Sequence, residues 1–223
     1  MAQKEKFVWR LRVPQNRTIV FQDLIRGEIK INTDTIGDFA IARNDESVLY
    51  LLANVIDDLT GGITHIIRGE DGISNTPRQI LLWEALPHKI PQYAHIPLVL
   101  DNKKRKLSKR NVETDICVLI RDFQEKGFLP EGVLNGLALL GWNPKNTDEI
   151  FSLDQLGQIF DLKHVNQAAA QYDYEKMEWL NHQWMKKLDL ETLADRFFQW
   201  MEEHTQHNLD TFRVPQCLSL IHI

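Results

Sequence analysis

From Phe7 to Val13 the chain alternates, with Phe7, Trp9, Leu11 and Val13 on one side and Val8, Arg10 and Arg12 on the other, a period of two that predicts a strand. After a Pro14-Gln15-Asn16 turn, Thr18-Ile19-Val20-Phe21 and Ile25–Ile31 predict two further short antiparallel strands, and Asp38–Arg43 another. This front section reads as a small β-rich unit. From Ser47 the period changes: Leu49, Leu52, Ala53 and Ile56 recur at helical spacing, with Tyr50, Asn54, Asp57 and Asp58 on a neighbouring polar strip. Gly61-Gly62 ends that helix. The run Ile63-Thr64-His65-Ile66-Ile67 that follows suits a fully buried parallel strand. Ser74-Asn75-Thr76-Pro77 then offers a cap with proline at the first helical position, ahead of Ile80, Leu81, Ala85 and Leu86. A strand at about Ile96–Leu100 completes a strand–helix–strand unit, whose strands are expected to be parallel.

Beyond Arg110 the pattern is helical throughout. Thr114 caps an expected helix with Ile116, Leu119, Ile120 and Phe123 inward, closed by Gly127, and Pro130 opens another that runs to Leu140 and stops at Gly141. Ser152 and Gln155 form a capping-box pattern before Leu156, Ile159 and Phe160; Asp173 caps a helix carrying Met177, Leu180 and Trp184. A last amphipathic helix is expected from Leu190 to Met201 or slightly further. The second half therefore reads as a helical bundle.

Composition narrows the class. With 43% hydrophobic residues in 223, the chain can bury a real core, and no apolar run approaches the roughly 18 residues that a membrane helix needs. The start, Met1–Lys6, leads into mixed polar sequence and not a secretory core, so a cytoplasmic location and no membrane partner are expected. Cys117 and Cys217 lie far apart and share no ligand spacing, which sets aside a disulfide framework and a structural zinc. The formal charge of -5 argues against a surface coated in positive charge. Against that background Lys103-Lys104-Arg105-Lys106-Leu107-Ser108-Lys109-Arg110 stands out as a dense basic run.

Two readings of that run stay open: a solvated charged loop, or a mobile loop at a strand end that meets phosphates. In open parallel sheets, ligands bind outside the carboxyl ends of the strands. Arg68-Gly69-Glu70-Asp71 ends one expected strand and the basic run ends the next, so both can converge on one ligand. There Lys106 and Lys109 would offset charge on a triphosphate, with Ser108 as a further donor. No Gly-x-x-x-x-Gly-Lys loop is present. Arg68, with planar paired donors, suits a carboxylate, and Tyr50 and Asn54, four apart on one helix, add a hydroxyl and an amide on the same side. Equally, Arg68 could pair with Glu70 or Asp57, and Tyr50 could be a core residue.

Four stretches together, in this order and spacing, carry a resemblance: Tyr50-Leu51-Leu52-Ala53-Asn54-Val55-Ile56-Asp57-Asp58, Gly62–Asp71, Ser74-Asn75-Thr76-Pro77-Arg78-Gln79 and Lys106–Arg110. They resemble the bacterial-type glutamyl-tRNA synthetases, class I aminoacyl-tRNA synthetases, over roughly residues 7 to 205, including Trp179-Leu180-Asn181. The fold class this implies is α/β plus α. Residues 1–46 would be part of a β-rich inserted acceptor-stem domain, 47–112 the second half of a Rossmann-type nucleotide-binding domain, 113–205 a helical stem-contact domain, and 206–223 a tail, artefactual at 218–223.

The resemblance further implies that glutamate attacks the α-phosphate of ATP, which arrives with Mg2+ as substrate, and that the glutamyl group then passes from the adenylate to the terminal ribose of tRNA(Glu). Tyr50, Asn54 and Arg68 match its glutamate-binding positions. Glu70, Asp71 and Lys106-Leu107-Ser108-Lys109-Arg110 match its ATP-binding positions, with Lys106, Ser108 and Lys109 as the catalytic set. Arg10, Arg12 and Arg26 are candidates for tRNA contact; no bound metal is expected, and the parent is expected to be monomeric. Two departures stand out: none of the eight histidines sits in a His-x-Gly-His signature, and no anticodon-binding domain follows the helices. The chain therefore reads as an internal fragment, expected to be weak or inactive alone. Alternatives of different class are a tRNA-modifying glutamylating paralogue and a noncatalytic RNA-binding remnant.

Overall fold

A computed structural model describes residues 7–44, 47–107 and 117–204. It divides into two compact units: Met1–Leu98 with Val165–Ala168, and Val99–His164 with Ala169–Ile223.

The first unit is built on a mixed sheet. Strands β1 (Val8–Leu11), β2 (Thr18–Asp23), β3 (Gly27–Asn32) and β4 (Phe39–Arg43) form where the period of two is clearest. β1 pairs with β4 as a separate antiparallel ribbon. β2 and β3 form an antiparallel hairpin, closed at Gly27, whose φ of +79° favours glycine. Helix α1 (Tyr50–Thr60), strand β5 (His65–Gly69), a short 3-10 segment (Glu70–Asn75), helix α2 (Thr76–Glu84) and strand β6 (Gln92–Ile96) follow. The sheet order is β3-β2-β6-β5, with β6 parallel to both β2 and β5. Ile80, Leu81, Leu82 and Trp83 of α2 are buried with Val55, Ile19 and Tyr93. Each such aliphatic or aromatic side chain contributes about 1.5–3 kcal/mol by leaving water.

The second unit holds β7 (Val99–Leu100), paired in parallel with β8 (Ala170–Gln171), and helices α3 (Ile120–Glu125), α4 (Pro130–Leu139), α5 (Leu153–Ile159), α6 (Tyr174–Lys187) and α7 (Leu190–His204). The expected local signals are present. Ser152 Oγ accepts from the Gln155 amide at 3.2 Å while Gln155 Oε1 accepts from the Ser152 amide at 2.8 Å, and Asp173 accepts from the Lys176 amide at 3.0 Å.

Several expectations are corrected. The division expected at 46/47 falls inside the first unit, because the β2–β3 hairpin is hydrogen-bonded into the sheet of β5 and β6; the units part instead at Leu98/Val99. The division expected at 112/113 and the tail from 206 lie outside the described residues. The run from Ile63 is not a fully buried strand: β5 sits at the sheet margin among the described strands, with Ile63 43% and Ile67 54% exposed. The strand placed at Ile96–Leu100 lies earlier, at Gln92–Ile96, because Pro97 has no amide proton to continue the ladder. On α1 the buried residue is Val55, with Leu51, Leu52 and Leu59 beside it, so of the expected Leu49, Leu52, Ala53 and Ile56 only Leu52 packs on this core and the inward face is rotated. α3 starts at Ile120, where the Asp122 carboxylate accepts the Val118 and Leu119 amides at 2.9 and 2.8 Å; Thr114 and Ile116 lie outside the described residues.

Candidate functional site

In the first unit, β5 delivers Arg68 to the end of a parallel strand, and α2, packed alongside, supplies two fully buried polar side chains one turn apart, Thr76 and Gln79. Arg68 Nη2 donates to Thr76 Oγ1 at 2.7 Å and to the Gly72 carbonyl at 3.0 Å, and Arg68 Nε donates to His95 Nε2 at 3.1 Å. The guanidinium also lies 5.5 Å from the centroid of the Tyr93 ring. A Cβ at Gly72 would come within 2.5 Å of Arg68 Nε, so glycine is required for this approach. The partners weighed from sequence, Glu70 and Asp57, are not those Arg68 takes. Among the described residues, Nη1 has no hydrogen-bond partner.

Gln79 Nε2 donates to Asn54 Oδ1, while Gln79 Oε1 is buried without a partner among the described residues. Thr76 thus meets Arg68 and Gln79 meets Asn54, so one helix backs both candidate ligand-binding side chains. Tyr50, one turn before Asn54 at the start of α1, is 65% exposed and is not a core residue.

Behind Arg68 stands a buried pair that the sequence pattern did not flag. His95 and Asp23 are 0% and 1% exposed, with His95 Nδ1 2.6 Å from Asp23 Oδ2. Asp23 also accepts the Ile25, Arg26 and His95 amides. Burial alone would push the Asp23 carboxyl up, but those amides and the His95 ring together hold it below its ordinary value. Burial drives the His95 imidazole down, and the Arg68 and Arg26 charges add to that, against the pull of Asp23. The available signal was a histidine flanked by Tyr93, Ala94 and Ile96, but the partner, Asp23, lies 72 residues away in sequence.

Two residues assigned to different ligands meet each other. Arg26, a candidate for tRNA, forms an ion pair with Glu70, a candidate for ATP, and Glu70 Oε1 also accepts the Leu98 amide at 2.9 Å. Both side chains are about three-quarters buried, at 22% and 25% exposure, so Arg26 serves its own unit rather than presenting a free charge. Arg12 is exposed, Arg10 donates to the Asp38 carbonyl at 3.0 Å, and Asp71 is exposed.

In the second unit the basic run begins as a hairpin turn, not as the end of a strand in the parallel sheet. Asp101 Oδ1 accepts the Lys103 and Arg105 amides at 2.9 and 2.8 Å, and its Oδ2 binds the Arg105 guanidinium at 2.7 Å. Lys104 takes φ of 60° at the tip. The Leu107 amide returns to the Val99 carbonyl at 2.8 Å, Leu107 packs on the second core, and Lys106 is exposed opposite Leu100. The Arg105 amide, with the other donors, holds the Asp101 carboxyl below its ordinary value. Ser108, Lys109 and Arg110 lie outside the described residues.

The family described as tRNA synthetases class I (E and Q), catalytic domain, matches residues 1–179. The chain belongs to that family. It is 47% identical over 199 residues to a protein named glutamate–tRNA ligase from Aquifex aeolicus, covering 88% of this chain and 41% of that protein. It is 40% identical over 214 residues to one of the same name from Natranaerobius thermophilus, covering 93% and 43%. A crystal structure of a glutamate tRNA ligase from Elizabethkingia meningosepticum in complex with its amino acid superposes with a TM-score of 0.82 at 33% identity, over 96% of this chain and 45% of that one. The chain thus spans about two fifths of the length of these curated relatives. Its fold is that of the family's catalytic domain, a mixed sheet with helices. Among the described residues, no helix is long and apolar enough to cross a membrane, and no cluster of three or more His, Cys, Asp or Glu side chains could hold a metal ion.

Proposed function

We propose that the protein carrying this chain ligates glutamate to tRNA(Glu) through a glutamyl-adenylate, with Arg68 and Asn54, joined by the Tyr50 hydroxyl, receiving glutamate. The observation that carries this reading is Arg68: a guanidinium at a strand end, immobilised through Nε and Nη2, with Nη1 left to donate to an anion. A positioned guanidinium binds a carboxylate more strongly than a mobile ammonium does, since its geometry is fixed before the ligand arrives. The relatives named glutamate–tRNA ligase support the choice of amino acid and partner.

Lys106, with Ser108, Lys109 and Arg110, faces the ATP phosphates in this reading. Its ammonium offsets charge as the α-phosphorus is attacked by the glutamate carboxylate and pyrophosphate departs. Leu107 anchors the hairpin, Asp71 lies near the nucleotide, and Mg2+ enters with ATP as part of the substrate. Glu70 acts by holding Arg26, not by touching ATP. The Arg10–Arg12 ribbon and the helical unit are proposed to contact the acceptor end and stem of the tRNA.

The test is ATP–pyrophosphate exchange with L-glutamate and tRNA(Glu). Arg68→Ala should raise the KM for glutamate at least tenfold with a smaller effect on kcat, while Lys106→Ala should lower kcat by roughly 10²-fold, the scale of one lost transition-state donor. Exchange supported equally by glutamine, or an Arg68→Ala enzyme with unchanged KM, would overturn the reading.

A further inference from the structure

The His95 ring nitrogens face partners of opposite character: Nδ1 meets the Asp23 carboxylate, and Nε2 meets both Arg68 Nε and Thr76 Oγ1, each at 3.1 Å. Arg68 Nε can only donate, since a guanidinium has no acceptor, so the His95 Nε2 at 3.1 Å must present its lone pair. The imidazole proton is then on Nδ1, 2.6 Å from Asp23 Oδ2, which can only accept when ionised. Asp23 is itself fixed by the amides of Ile25 and Arg26 at 3.0 and 2.9 Å. Thr76 completes the arrangement: its Oγ1 accepts from Arg68 Nη2 at 2.7 Å, and its own proton can go to the same His95 Nε2 lone pair at 3.1 Å or to the Gly72 carbonyl at 3.3 Å. Asp23, His95 and Thr76 each have at most 1% exposure, so water cannot cheaply replace a partner lost among them, while Arg68 is only partly buried.

We propose that Asp23 and His95 are positioning residues for substrate binding: Asp23 holds His95 as its Nδ1–H tautomer, and the Nε2 lone pair orients the Arg68 guanidinium so that Nη1 meets the substrate carboxylate. This rests on the reading of Arg68 as the carboxylate-binding residue. Neither residue touches the ligand. Their effect is to fix the guanidinium before binding, so the ordering cost falls on folding and not on substrate capture. An imidazolium in the same place would aim a second proton at the Arg68 Nε–H and turn the guanidinium away.

Two substitutions at His95 separate positioning from packing. His95→Asn keeps an amide donor near the Nδ1 position, for Asp23, and loses the acceptor for Arg68; His95→Gln places an amide oxygen near the Nε2 position, for Arg68, and loses the donor to Asp23. The first measurement needs no ligand. In the uniformly 15N-labelled chain, His95 should show the Nδ1–H tautomer and Arg68 a slowly exchanging Nε–H, which His95→Asn abolishes and His95→Gln retains. An Nε2–H tautomer, an imidazolium, or an Arg68 Nε–H indifferent to His95→Asn would overturn the proposal.

The second measurement is glutamate affinity, with L-glutamate as the probe and melting temperature followed in parallel. His95→Asn should weaken binding at least tenfold and His95→Gln by less than threefold. Equal losses in the two variants that track their melting temperatures would assign a merely structural role and overturn the proposal. Arg68→Lys isolates the underlying reading: if it leaves glutamate affinity unchanged, the carboxylate assignment fails, and the tautomer and Nε–H signals still decide whether His95 holds Arg68.

Discussion

At His95 and Asp23 the fold keeps two ionisable groups out of water, and their titration should be visible in stability. The folded His95 is held below its ordinary value of 6.5, so on acidification the unfolded chain takes up a proton that the folded chain refuses. Stability is then full above about pH 6.5 and declines below it, by at most about 1.4 kcal/mol per pH unit for one proton. Asp23, also held down, adds a second loss below its ordinary 3.8. Urea unfolding from pH 8 to pH 5 should show the midpoint falling below pH 6.5 in the wild-type chain, and a flatter profile in His95→Gln, which has no imidazole to titrate at this buried position. A wild-type midpoint independent of pH over that range would contradict the neutral buried imidazole. At this scale the sequence marked Arg68 and Asn54 by residue type and position, but nothing local shows that Thr76, Gln79, His95 and Asp23 hold them. Their roles depend on partners 8, 25 and 72 residues away.

Helices in the second unit show how far local chemistry reaches. The Ser152 capping box, Pro130 at the start of α4 and the Asp173 cap were all readable, because each involves groups within four residues. What α4 packs on was not. Gly132 is there because a Cβ would stand 2.9 Å from the Asn181 Cα and 3.0 Å from its Oδ1, the atom that accepts the Leu129 amide at the start of α4. Gly132→Ala should therefore destabilise by about 1–3 kcal/mol despite the gain of about 1 kcal/mol in helix propensity. At Gly157 in α5 nothing lies within 4 Å of the added methyl, so Gly157→Ala should stabilise by about 0.5–1 kcal/mol. The check is the urea midpoint at constant slope; a Gly132→Ala chain as stable as Gly157→Ala would remove the close approach of α4 and α6 from the account.

Across the whole molecule, charges that look alike in sequence separate by environment. Arg12 is exposed and free to meet a phosphate, whereas Arg26 is largely buried against Glu70. Arg12→Ala should lower the salt slope of tRNA binding by about one counterion with little change in stability. Arg26→Ala should leave the slope unchanged and cost about 1–3 kcal/mol, because Glu70 loses its charged partner in a site that is only a quarter exposed. Binding measured from low to high salt, beside the unfolding midpoint, distinguishes them; a slope lowered by Arg26→Ala would return that residue to the nucleic-acid surface. In the basic hairpin, Arg105 is committed to Asp101.

The sequence by itself determined most of the strands and helices, though not β8 or the division of the strand before the basic run into β6 and β7, together with most helix starts and the residue types that name the family, because periodicity, caps and short motifs are set by groups close along the chain. It could not determine that the β2–β3 hairpin joins the sheet of β5 and β6, that the strand before the basic run ends at Ile96, or that the run itself is a turn clamped by Asp101. Nor could it pair Arg26 with Glu70, or place Asp23 and His95 behind Arg68. Those outcomes depend on which strands share hydrogen bonds and on which polar groups lose water together, and both are settled only when distant segments pack.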